Sequence, residues 1–145
     1  LSGSSATATP ASAPTNPCAV GTSGTDAKAL GAASHAVVHR RLITVSGQRE
    51  CRLSVGAVVL HVAINVGGFS GPHVRISEPR NLGPGPTLGT DTRSHNAYLL
   101  FHRGPTCILI ESMQAPHPTA RQLVALGHAI YATLPGPPRA AAPAW

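Results

Sequence analysis

The chain of 145 residues is long enough for one domain with a single core and too short for two. Eleven basic residues against five acidic ones give a formal net charge of +6, but the charges are scattered and only Arg40-Arg41 are adjacent. With five aromatic residues and no stacking motif, that pattern argues against nucleic acid as a partner. A transmembrane helix is also excluded. The longest apolar run, Val58 to Val66, is interrupted by His61 and Asn65 and falls well short of the roughly 20 residues a span requires.

From Leu1 to about Asn16 the chain is rich in Ser, Ala, Thr, Pro and Gly, with little to bury, and reads as a disordered tether. Cys18 stands where order is expected to begin. Thr22 or Ser23 can cap a short helix through Asp26, Ala27, Ala29 and Leu30, with Gly31 placed to end it. Val37 to Val45 is β-branched and runs into a Ser46-Gly47 turn. Gln48 to Val55 follows with Cys51, Leu53 and Val55 on one face. After Gly56 the alternation resumes from Val58 to Val66, so three antiparallel strands in a meander are predicted.

Gly67 to Asn96 reads as one long loop, punctuated by Gly71-Pro72, Glu78-Pro79 and Gly83-Pro84-Gly85-Pro86. A connection of that length is commonly functional, and Phe69, His73, Arg75, Arg80, Leu88 and Asp91 are its candidate ligand-groove residues. A hairpin is predicted next, Ala97 to His102 and Cys107 to Glu111 around the turn residues Arg103 to Thr106. Pro116 and Pro118 introduce a last helix whose Leu123, Leu126, Ile130 and Leu134 share a face. The expectation is an α+β domain over residues 17–135: an antiparallel sheet of about five strands with an N-terminal short helix and a C-terminal helix packed on one face. Gly136 to Trp145 is read as a disordered Pro/Ala tail.

Three cysteines permit three single pairings, and spacing does not choose among them. Position favours Cys18 with Cys51, since the bridge would tie the start of the domain to an early strand. A disulfide and an N-terminal tether together suggest an exported protein. The signal peptide or lipid-bearing cysteine of such a protein is expected upstream of Leu1.

The segment Asn16-Pro17-Cys18, followed by Thr22 to Gly31, resembles the opening of a large group of small actinobacterial lipoproteins of unknown function. In that group a second cysteine opens a strand pair, a Pro/Gly loop precedes the final hairpin, and an alanine-rich helix closes the domain. The corresponding positions here are Cys51, Gly85 to Gly89, and Arg121 to Leu134, with Leu53 where the group often has Trp. The group is similar to the extracellular sensor domain of mycobacterial receptor serine/threonine kinases. The resemblance implies a tethered, monomeric, ligand-binding role in the cell envelope, the partner being a small molecule, a lipid, a wall polymer or another envelope protein.

Catalytic signals are thin. His35 and His39 have the spacing of two metal ligands on a helix, but Ala36 replaces the acid of a metalloprotease helix, and Val37-Val38 favour strand. No metal site or cofactor is therefore assigned. His102 and Cys107 flank the hairpin turn, where an imidazolium would lower a thiol pKa, and Glu111 is the one candidate to orient that imidazole. The main reading is a non-catalytic binding domain; a thiol-dependent or hydrolytic enzyme using Cys107 and His102 is the alternative.

Overall fold

The computed structural model describes residues 16–33, 35–45, 47–66, 73–77, 79–83, 85–91 and 96–134, giving only the backbone of residues 66, 73–77 and 91. The fold is α+β, a seven-stranded antiparallel sheet with two helices on one side. The expected tether and tail, and Phe69, lie outside the described residues.

A 3₁₀ turn, Pro17–Ala19, is opened by Asn16, whose side chain accepts the Cys18 N–H. Helix α1 (Ser23–Ala29) is capped by Thr22, and Gly31 beyond its end has φ 81°, as the cap pattern in the sequence predicts. Strands β1 (Val38–Val45), β2 (Gln48–Val55) and β3 (Val58–Val66) form the predicted meander. Strand β1 starts one residue later than expected, which leaves His35 in the preceding turn and only His39 on the strand.

The segment expected to be one long loop contains two strands, β4 (His73–Ser77) and β5 (Thr87–Asp91). Each is five residues long and borders Pro/Gly punctuation, so the local pattern is weak. The ladder supplies what that pattern lacks: β5 pairs along β6 (Ala97–Arg103), with Gly89 opposite Tyr98, and β4 pairs on β5. Strand β7 (Thr106–Ser112) returns from β6 through a two-residue Gly104-Pro105 turn and pairs with β3. The sheet order is β1-β2-β3-β7-β6-β5-β4, two meanders joined along β3 and β7.

Helix α2 (Ala120–Thr133) is started by a complete capping box between Thr119 and Gln122. Its Leu123, Leu126 and Ile130 are buried with Leu53, Leu60, Val62, Leu99, Phe101, Ile108 and Ile110 from the sheet. The helix sits close: a Cβ on Gly127 would come within 2.4 Å of the Leu99 side chain. Arg103 lies over the Tyr131 ring at 4.5 Å and donates to the Tyr131 carbonyl, so a cation closes the C-terminal end of the helix.

Candidate functional site

Burying Leu123, Leu126 and Ile130 fixes the rotation of α2 and turns Arg121, Ala125 and His128 outward, at i, i+4 and i+7. A groove runs along each side of this ridge. On one side, Pro79, Arg80 and Leu88 face α2 across a space of about 480 Å³ bordered also by Arg121, Val124 and His128. On the other, α1 and α2 enclose about 500 Å³ bordered by Thr25, Lys28, Ala29, Gln122 and the same Arg121 and Ala125.

The first groove depends on the placement of the chain at 79–83. Leu82 is fully buried in the core and anchors that segment. Gly83 has φ 78°, and a Cβ there would lie 2.0 Å from the His102 carbonyl oxygen, so the loop backbone rests directly on β6. His128 donates from Nε2 to the Arg80 carbonyl at 2.8 Å, joining the loop to the helix. The second groove is bridged by Gln122, whose amide donates to the Leu30 carbonyl at 3.5 Å.

The flank of the molecule beyond α1 is held differently. Cys18 and Cys51 form a disulfide, as the position of the two thiols suggests, closing a loop with a sequence separation of 33. Above it, Arg40 donates to the Val20 carbonyl at 2.9 Å and pairs with Asp26. Asp26 has no exposed surface, and this burial pushes its carboxyl above the ordinary aspartate range; the Arg40 hydrogen bond and charge oppose the shift.

Of the groove residues expected from the sequence, the structure brings Arg80 and Leu88 together on one groove with α2. His73 and Asp91 are register partners across β4 and β5, and Arg75 is opposite Gly89; their side chains lie outside the described residues. Arg121, Val124 and His128, together with Lys28 on α1, were not singled out by sequence. Their signal was the outward face of an amphipathic helix, which resembles any solvated face until a neighbouring loop is seen to border it.

His102 and Cys107 are direct register partners on β6 and β7, and the Cys107 thiol is fully buried. Glu111 is opposite Tyr98 and His61, four residues along the strand from Cys107 and so roughly 13 Å away. It does not orient His102. His61 Nδ1 is instead 3.2 Å from Glu50 Oε1. Among the described residues, no three His, Cys, Asp or Glu side chains cluster to hold a metal ion, and no helix is long and apolar enough to cross a membrane.

Comparison with family models, with curated proteins and with solved structures returns no match.

Proposed function

We propose that this chain is an extracytoplasmic, non-catalytic ligand-binding domain of the cell envelope whose ligand lies along α2. The observation that carries this reading is the groove in which Arg80 and Leu88 meet Val124 and His128. It joins an apolar floor to a few polar groups, the usual make-up of a small-molecule or lipid site. The Cys18–Cys51 disulfide supports the compartment, since such bridges persist where the surroundings are oxidising. The resemblance to small actinobacterial lipoproteins supports the same placement.

Ala125 borders both grooves, so one substitution addresses the whole site. Folded wild-type protein is expected to enhance the fluorescence of a neutral apolar dye such as Nile red, and Ala125→Trp is expected to abolish the enhancement without loss of fold. Equal enhancement by both proteins, or none by either, contradicts the reading.

The pairing of His102 with Cys107 favours a second reading, a thiol enzyme. Iodoacetamide labelling of the unreduced, folded protein separates the two. The binding domain leaves the buried Cys107 unmodified, whereas a thiol nucleophile reacts rapidly.

A further inference from the structure

We infer that the two grooves flanking α2 seat the headgroup layer of an anionic phospholipid membrane. This assignment rests on the binding reading above and names its ligand. Lys28, Arg121, Arg80 and His128 are all exposed, and all border the grooves. No carboxylate lines either groove among the described residues.

The distribution of acids accounts for that one-signed surface. Helix α2 contains no Asp or Glu, and the single acid of α1, Asp26, is buried against Arg40. Glu50 and Glu111 alternate with the core residues Cys51 and Ile110, which places them on the sheet face turned away from the helices. Asp91 ends β5, and Glu78 lies outside the described residues. Three formal cations, Lys28, Arg80 and Arg121, therefore border the grooves with no described carboxylate to oppose them.

The chemistry fits a phospholipid on two counts. Guanidinium groups fork onto phosphate oxygens, and Arg121, shared by both grooves, stands between the flanking cations Lys28 and Arg80. Below them, Ala29, Ala125, Val124 and Leu88 give an apolar floor of the kind that glycerol and upper acyl carbons favour over water. Long cationic side chains around such a floor lie along it while keeping their charge at the phosphate level. The negative potential of an anionic leaflet attracts each of these cations and is screened by salt.

The test is flotation of the full, unreduced chain with vesicles of phosphatidylglycerol and phosphatidylcholine, against vesicles of phosphatidylcholine alone. Binding is expected only where phosphatidylglycerol is present, and should be lost at roughly 1 M salt, where the Debye length is about 3 Å. Arg80→Glu and Arg121→Glu should each weaken binding about 25-fold, two charges at about fivefold per charge. Arg52→Glu makes the same charge change at an exposed position on the opposite sheet face and should leave binding within about twofold of wild type.

Equal loss in all three variants overturns the groove assignment in favour of net charge alone. Equal binding to both vesicle types, or to neither, overturns the anionic lipid class; the dye result with Ala125→Trp decides the broader binding reading separately. Abolition of vesicle binding by inorganic phosphate, but not by chloride at matched ionic strength, overturns the membrane in favour of a soluble phosphate ligand.

Discussion

The two flanks of the helical layer are secured by different kinds of interaction. Beside α1, a covalent bridge joins Cys18 to Cys51 and a buried ion pair joins Asp26 to Arg40. Beside α2, the loop carrying Arg80 is held by one buried leucine, a close backbone approach at Gly83 and one hydrogen bond from His128. The first set constrains the unfolded chain or buries charge, and so is costly to break. The second set consists of contacts that reform with small adjustments. Under the proposed reading, the groove between Arg80 and α2 lies against the second set, whose contacts can adjust to a ligand while the disulfide end keeps the fold.

The largest effect is expected from the ion pair. Arg40→Met leaves a fully buried Asp26 carboxyl without its cation, and urea unfolding at neutral pH should show a loss of about 3 to 5 kcal/mol. That loss should shrink in acid, where Asp26 protonates. Next comes the disulfide: removing it in a Cys18→Ser/Cys51→Ser pair should cost about 3 to 4 kcal/mol in the chain-entropy picture. Intact mass of the protein purified from its native host bears on the same bridge, because two free thiols at Cys18 and Cys51 would contradict the oxidised form.

On the groove flank, Gly83→Ala should cost about 2 kcal/mol, since a left-handed φ and a Cβ against the His102 carbonyl act together. Its amide exchange should rise first in residues 79–83, leaving α1 protected. Uniform loss of protection would erase the distinction between the flanks.

The smallest effect is a pH slope. Burial raises the Asp26 pKa in the folded state, so the folded protein holds that proton to higher pH than the unfolded chain does. Stability from this group is therefore greatest below the unfolded pKa of about 3.9 and declines as pH rises through the folded value. Asp26→Asn should remove that decline from a series of urea midpoints; an unchanged slope would show that Asp26 does not titrate in this window.

The same contrast separates what was legible in the sequence from what was not. Cys51, Leu53 and Val55 alternate with polar residues, and Thr22 and Gly31 bracket α1, so the disulfide flank follows local rules and its elements were readable. Strands β4 and β5 obey no such pattern: β5 carries Gly89, β4 has a register shift between Arg75 and Ser77, and both form because β6 offers a ladder. The loop reading named Arg80 and Leu88, and both border the groove beside α2, Leu88 from strand β5. It did not name Arg121 and His128, which border the groove only because α2 is docked beside that segment. Charge on a helix surface carries no address until its neighbour is in place.

The proposed binding along α2 is tested most directly by amide chemical-shift mapping of the full chain titrated with phosphatidylglycerol-containing bicelles. Shifts are expected to concentrate on Lys28, Arg80, Leu88 and residues 120–128, with β1 to β3 nearly unchanged. Shifts centred instead on Arg52 and His61, on the sheet face away from the helices, would contradict the placement of the site along α2.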